Sequence, residues 1–376
     1  MKLLVENLKA KEGFELNMII GLDGFIDEIN HVVDKREDTV NFTRIRTISD
    51  FGERIQRATG LSTNIELVPM QTKLGGNGPI LSNALLEYGV SLVYVGALGK
   101  PDIHPIFRSI TERAKKVYSL CNSGLTDACE FEDGKIMLGK HDFLQEVTWD
   151  AMKLAMGDAD GIATYINCTH LLGMENWTML PNMSEIWEGM IREVFPLIKL
   201  RDEKPLAFFD LSDPEKRTKE DIVRALKLIS QFEQKFRVIL GLNEKEAHEI
   251  AWVLGITVDK YPVSEEKLKQ TVLQISQSLS IHCLVVHHSR MACCAINGEY
   301  FTIDTPYCKK PKLTTGAGDN FNAGFCLGNA LELDPLSSLT LGVSTAGYYV
   351  RNSKSPTYNQ VIEFIEKWDS LQFENP

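Results

Sequence analysis

Short apolar runs and amphipathic stretches follow one another along the whole chain. Met18–Leu22, Leu92–Gly96, Asn167–Leu172, Leu206–Asp210, Phe236–Leu240 and Cys283–His287 are each short, mostly apolar and followed by turn or capping residues. That is the pattern of strands buried on both faces of a parallel sheet. Between them, apolar positions recur with helical spacing at Pro79–Tyr88, Glu185–Leu200, Lys219–Phe232, Glu265–Leu279 and Phe321–Leu331. Alternation of this kind predicts an α/β fold. No internal repeat, low-complexity tract or Pro/Ser-rich linker divides the sequence, so a single principal domain over residues 1–376 is expected.

Two stretches break the rhythm. Residues 27–73 and Cys129–Leu138 alternate polar with apolar side chains, as a sheet open to solvent on one side does. Asp133-Gly134 between two such runs reads as a hairpin turn. These pieces, at about 27–73 and 126–142, predict a small β lid over one end of the main sheet; an ordinary edge hairpin is the alternative.

Composition narrows the partners. With 44% hydrophobic and 24% charged residues the chain is an ordinary globular protein, and its formal net charge of −11 argues against nucleic acid. The eight cysteines are scattered with no Cys-x-x-Cys pair, and no apolar run reaches the length of a signal peptide or a membrane span. A cytoplasmic protein with no membrane partner is expected.

Candidate chemistry concentrates in Thr314-Thr315-Gly316-Ala317-Gly318-Asp319-Asn320-Phe321. Two glycines flanking an alanine let the backbone turn and present consecutive N–H groups where a helix begins, a cradle for an anion. Asp319 then sits beside bound phosphate; its bland reading is a first-turn carboxylate favoured by the helix dipole. Asn243-Glu244-Lys245-Glu246 opens another helix, and Asn followed by Glu three residues later is a capping box. A carboxylate held there is also able to hold the water shell of Mg2+. Gly96-Ala97-Leu98-Gly99-Lys100 lacks the first glycine and the Ser/Thr of a phosphate-binding P-loop, and no Gly-x-Gly-x-x-Gly follows the first strand.

Taken together, the Thr-x-Gly-Ala-Gly-Asp run, the Asn-x-x-Glu run before it and Leu74-Gly75-Gly76-Asn77-Gly78-Pro79 near the N-terminus resemble the ribokinase (PfkB-type) carbohydrate kinases. The resemblance implies a ribokinase-like fold, a Rossmann-like central sheet flanked by helices with a β lid, and ATP- and Mg2+-dependent phosphorylation of a sugar or nucleoside hydroxyl. It implies that Asp319 is the base, ionised at neutral pH if its pKa is unperturbed near 3.9. Gly316, Ala317 and Gly318 become the anion hole, and Asn243 with Glu246 the Mg2+-water site. Nucleotide contacts fall to Thr315, Gly316, Gly318 and Asn243, with His288 in the donor region. Substrate contacts fall to Asp27, to Asp23 as a second choice, to Gly76 and Asn77, and to Glu175.

The sequence departs from that family at three places. Leu313 stands where the family usually has an Asp that helps hold a monovalent cation, which puts that cofactor in doubt. Ile80 replaces an Asn beyond the Gly-Gly pair, and the donor run reads His287-His288-Ser289-Arg290-Met291-Ala292 instead of a glycine-rich one. Lys309, Lys310 and Lys312 ahead of the anion loop read as an exposed basic stretch that touches phosphate at most. The expected function is therefore an ATP-dependent carbohydrate kinase, acting on a small molecule and forming a possible homodimer through the lid. Two alternatives stand beside it. A nucleoside kinase would want an aromatic or apolar wall for its base, which Phe42, Phe51, Phe131 and Phe143 could supply, and a catalytically weak sugar- or nucleotide-binding regulator would explain the altered residues.

Overall fold

The computed structural model describes residues 1–257 and 264–370. Fourteen strands form two sheets: β1 Asn17–Leu22, β2 Phe25–Arg36, β3 Phe42–Arg44, β4 Leu67–Gly75, β5 Ser91–Gly96, β6 Lys116–Ser119, β7 Gly124–Glu130, β8 Lys135–Lys140, β9 Leu171–Met174, β10 Leu206–Asp210, β11 Arg237–Asn243, β12 Cys283–His287, β13 Met291–Ile296 and β14 Glu299–Asp304. The nine-stranded sheet has the order β14-β13-β12-β11-β10-β9-β1-β5-β6. It is parallel from β12 to β6 and ends in the antiparallel pairs β12–β13 and β13–β14.

Alternate residues of each central strand feed two separate cores. Ile19, Val93, Phe209 and Leu240 pack on one face, and Met18, Leu92, Phe208 and Ile239 on the other. A sheet covered by helices on both faces needs both sets apolar, which is why these strands read as continuous hydrophobic runs. Among the described residues no helix is long and apolar enough to cross a membrane.

The second sheet is built from the two stretches expected to form a lid. Asp23 and Gly24 lead straight from β1 into the 12-residue β2, which pairs antiparallel with β4, Asp27 opposite Lys73, and parallel with β7, Asp27 beside Thr126. The end of β2 pairs with β3, and β7 with β8. The β7–β8 hairpin turns at Asp133-Gly134 as expected, with the Phe131 N–H donating to the Gly134 carbonyl at 2.9 Å. Its own core is small: Val32, Ile45, Phe51, Cys129 and Phe131.

Four local expectations change. The 27–73 stretch is not all strand, because Ile48–Arg57 is a helix, capped by Thr47 accepting from the Asp50 N–H and buried through Phe51. Asn167 belongs to the cap of the preceding helix Asp158–Ile166, and the strand runs Leu171–Met174, where pairing with Met18 begins. The helix expected over Glu185–Leu200 is α-helical only over Met183–Gly189, continuing as a π turn Met190–Val194 and a 3-10 turn Phe195–Leu197 at Pro196, which has no N–H to donate. The helix expected over Phe321–Leu331 starts earlier, at Ala317, so Gly318 and Asp319 lie inside its first turn.

Candidate active site

Parallel strands end on the same edge, and in an open α/β sheet ligands bind outside those carboxyl ends. In the order β12, β11, β10, β9, β1, that edge presents His287, Asn243, Asp210, Glu175 just past β9, and Asp23 just past β1. Residues far apart in sequence thus form one polar row.

Asp23 is fully buried and shapes the glycine loop. Its Oδ2 accepts from the Asn77 N–H at 2.9 Å and from Asn176 Nδ2 at 2.8 Å, and its Oδ1 from the Gly78 N–H at 2.9 Å. These bonds anchor the first turn of the helix Asn77–Glu87, whose cap residue Gly76 needs the left-handed region at φ 93°. A Cβ at Gly78 would lie 2.7 Å from Asp23 Oδ1, so the residue type there is set by this contact. Burial pushes the Asp23 carboxyl up to about 6, against the lowering effect of those three donors. Asp23 has no exposed surface, whereas Asp27 on β2 lines an open cavity.

Asn77 is the link to the other half of the site. Its backbone is held by Asp23, and its Nδ2 donates to Asp319 Oδ1 at 2.9 Å. The loop that carries Asp319 is fixed from three sides: Tyr349 Oη donates to the Thr315 carbonyl at 2.9 Å, Asn320 Nδ2 to the Gly316 carbonyl at 2.8 Å, and Ser355 Oγ to Asn320 Oδ1 at 2.7 Å. Gly316 sits at φ 87°, turning the chain into the helix Ala317–Ala330. The Ala317 N–H donates back to the Thr314 carbonyl at 3.1 Å and the Asn320 N–H to the Gly316 carbonyl at 3.0 Å, and the positive end of the helix dipole at this turn favours an anion. Below it the half-buried His287 ring would lie 3.0 Å from a Cβ at Gly318, and desolvation holds that imidazole down at about 4, hence neutral.

Burial, together with the charges of Asp210 and Asp23, holds the Asp319 carboxyl well above the usual carboxylate range. The unperturbed value expected from the sequence is therefore wrong for the free protein.

Asn243 and Glu246 form the expected capping box, the Asn243 side chain accepting from the Glu246 N–H and Glu246 Oε2 from the Asn243 N–H. Glu246 Oε1 accepts a further bond from the Asp213 N–H at 2.8 Å, which a cap alone does not call for. Burial and the neighbouring Asp210 raise Glu246 to about 7; burial raises Asp210 to about 6. Asp210, held by Ser212 Oγ and Asn322 Nδ2, was not singled out from the sequence. Its signal was there, an Asp ending an apolar strand ahead of a Ser-Asp-Pro turn, at a sheet edge where such residues gather. Asn176, which orients Asp23, was likewise missed.

Glu175 is fully buried with neither carboxylate oxygen hydrogen-bonded, and burial together with Asp210, Asp319 and Asp23 pushes it well up. As a direct substrate contact it is misplaced, because no face of it is open. Among the described residues no three acidic, histidine or cysteine side chains converge closely enough to hold a metal ion directly.

Two cavities flank the anion loop. One of about 530 Å³ opens between the lid and the loop, lined by Asp27, Lys73, Ile80, Leu313, Thr315 and Tyr349 among others. The other, about 310 Å³ and more apolar, lies on the far side against His288, Tyr307, Cys308, Phe321, Val343 and Val350. His288, on that side, is 3.3 Å from the Glu244 carboxylate. None of the four phenylalanines lines the larger cavity: Phe51 and Phe131 pack 5.5 Å apart inside the lid core and Phe42 lies under Arg36, while Ile29, Leu74, Ile80, Met137 and Leu313 give that cavity its apolar wall.

The comparisons agree with this geometry. A ketohexokinase from Haloferax volcanii is 26% identical over 349 residues, 92% of this chain and 90% of that protein. A ribokinase from Arabidopsis thaliana, solved with ribose and ATP, superimposes with a TM-score of 0.62 at 14% identity, covering 94% of this chain and 98% of its own. A nucleoside kinase from Burkholderia thailandensis, solved with inosine, gives 0.58 at 15% identity over 96% and 100%. The fold is thus ribokinase-like, and the idea of a mere binding regulator gives way to an enzyme. The prokaryotic ketohexokinase model matches residues 7–368, so the chain belongs to the prokaryotic ketohexokinase family and is a carbohydrate kinase.

Proposed function

We propose that the protein transfers the terminal phosphoryl group of ATP to a hydroxyl of a ketose, with Asp319 as the general base. The observation that carries this reading is the position of the Gly316–Asp319 turn between the two cavities, joined to the lid side through Asn77. The apolar cavity suits a nucleobase, the N–H cradle at the start of the helix its terminal phosphates, and the lid cavity the sugar. Asp27 faces the sugar and accepts from its hydroxyls; Asp23 and Asn176 hold Asn77, and Asn77 holds Asp319.

In the transfer step the sugar hydroxyl oxygen bonds to the γ-phosphorus, the bridging bond to the β-phosphate breaks, and the hydroxyl proton passes to Asp319. With Oδ1 accepting from Asn77, Oδ2 is left for that proton. The donor set fits Mg2+, a hard cation that keeps several waters: Glu246 and Asp210 are buried carboxyls whose mutual repulsion a divalent cation relieves. Asn243, Glu246 and Asp210 would hold it through water, and when bound it neutralises phosphate charge.

Incubation with ATP, Mg2+ and separate panels of ketohexoses, aldohexoses, pentoses and nucleosides, read by 31P NMR, tests the reading. A new sugar phosphate with a ketose acceptor is expected. Phosphorylation of nucleosides alone would overturn the acceptor assignment, and no ATP consumption with any acceptor would overturn the donor.

A further inference from the structure

The larger cavity holds more positive charge than a neutral sugar requires. Lys73, Lys135, Lys312 and Lys354 line it against a single carboxylate, Asp27, in a chain of formal net charge −11. Lys312 and Lys354 are exposed, so water screens their repulsion, while Lys73 and Lys135 are half-buried; together they favour an anion in the cavity. Lys135 has one already, Glu130 at 2.9 Å. Lys73 lies within electrostatic reach of Asp27 and Glu130. Lys73, Lys312 and Lys354 form no ion pair among the described residues.

The donor's phosphates are one possible counter-charge, but the chain trace argues otherwise. Along residues 311–318 the side chains divide: Pro311, Thr314, Ala317 and Gly318 face the apolar cavity, while Lys312, Leu313 and Thr315 face the lysine-lined one. Lys73 and Lys135 stand on β4 and β8 of the lid, and Lys354 follows the helix Pro335–Asn352. The lysines therefore gather on the lid side, in the same cavity as Asp27. Thr315 and Ser353 line it beside Lys312 and Lys354, adding hydroxyls suited to oxyanion contacts.

We propose that the acceptor is an anionic ketose, carrying a phosphate or carboxylate group that Lys312 and Lys354 bind, while Lys73 stands beside the Asp27 end of the sugar. The proposal rests on the reading of this cavity as the acceptor site of a sugar kinase. It adds that the cavity selects charge as well as hydroxyl geometry, and that a reaction producing a phosphorylated or oxidised ketose must supply the substrate.

The test compares three acceptors with ATP and Mg2+: a neutral ketohexose, a ketohexose monophosphate and a six-carbon 2-keto-aldonate. At least one charged acceptor is expected to have kcat/KM tenfold or more above the neutral one, and the two charged arms tell phosphate from carboxylate. Its KM should rise with added salt, as for a screened charge contact. Lys312→Gln with Lys354→Gln should raise the charged acceptor's KM about tenfold or more, the scale of losing hydrogen bonds to a charged group. Lys312→Arg with Lys354→Arg should recover most of it. A neutral ketohexose used as well as or better than both charged ones would overturn the proposal and leave the sugar-kinase reading standing. A rise confined to KM for ATP would also overturn it, assigning the lysines to the donor. No turnover with any acceptor would remove both.

Discussion

The two sheets of this protein are built to different standards. The nine-stranded sheet is buried on both faces, and its carboxyl edge carries Asp210, Asn243 and Glu246, opposite Asp319 on a buried helix start. The lid sheet hides only a small cluster around Phe51 and Phe131, and it carries Asp27, Lys73 and Lys135. On the proposed reading, the groups that carry out phosphoryl transfer stand on the close-packed element, and Asp27, Lys73 and Lys135 beside the acceptor stand on the thinly packed one. Rigidity is needed for phosphoryl transfer, while a lid that opens must not be locked by a deep core.

Removing the base tests the rigid side most severely. Asp319→Asn keeps size and the bond from Asn77 but loses the basic oxygen, so kcat should fall by about 10²–10⁴-fold. ATP affinity by calorimetry should stay within a few-fold of the parent. Retention of kcat within about three-fold would reassign the base. In the parent enzyme the acid limb of kcat/KM should lie above the ordinary carboxylate range, since burial favours the protonated form and activity returns as the proton leaves.

Paired truncations probe the packing contrast. Phe209 is fully buried on β10 between Trp187, at 5.2 Å, and Phe232, at 5.0 Å, and Phe209→Ala should cost about 3–5 kcal/mol and much of the soluble yield. Phe51→Ala removes the same side chain from the lid cluster. Denaturant unfolding should show a smaller global loss there, while KM for the acceptor rises more than KM for ATP. Equal losses of global stability in the two variants would mean that the lid is as firmly built as the main sheet.

Glu246 separates chemistry from capping on one residue. Gln can complete a capping box, but Glu246 also accepts from the Asp213 N–H, so Glu246→Gln should cost about 1 kcal/mol by urea melts, more than a simple cap exchange. Its catalytic loss should be larger, about tenfold or more in kcat with weakened Mg2+ dependence. Parent-like rates and Mg2+ response would leave it a structural cap.

The smallest effect concerns stability against pH. Asp23 and Asp210 near 6 and Glu246 near 7 keep protons in the folded state that the unfolded chain releases near 4. The folded state then binds more protons between about pH 4 and 7, so these groups make stability fall as pH rises through that window. Mg2+ should accordingly raise Tm more at pH 8 than at pH 5.5. An equal Mg2+ shift at both values would place the cation away from this row.

Most of the fold could be read in advance because its signals are local. Lys219–Phe232 and Glu265–Leu279 run between the residues that periodicity marked, and Asp133-Gly134 turns the hairpin it announced. Errors arose where local signals compete. The helix Ile48–Arg57 lies inside an alternating stretch, and its stability comes from Phe51 packing on Phe131 across the lid. Pro196 interrupts a helix that apolar periodicity alone would have continued.

The site divides along the same line. By itself the sequence determined the turn at Gly316–Gly318, the Asn243–Glu246 cap and the alternation of strands and helices, since each depends on residues within one or two turns of each other. Tertiary structure decided which of these groups meet. Strand order brings β10, β9 and β1 side by side, so Asp210, Glu175 and Asp23 share one edge, and Asn77 reaches Asp319 across 242 residues of chain. It also buried Asp23 and Glu175, opened Asp27, and gathered lysines from four distant segments into one cavity. Burial and mutual repulsion are properties of that assembled neighbourhood, which is why the raised carboxyl pKa values have no counterpart in any local pattern.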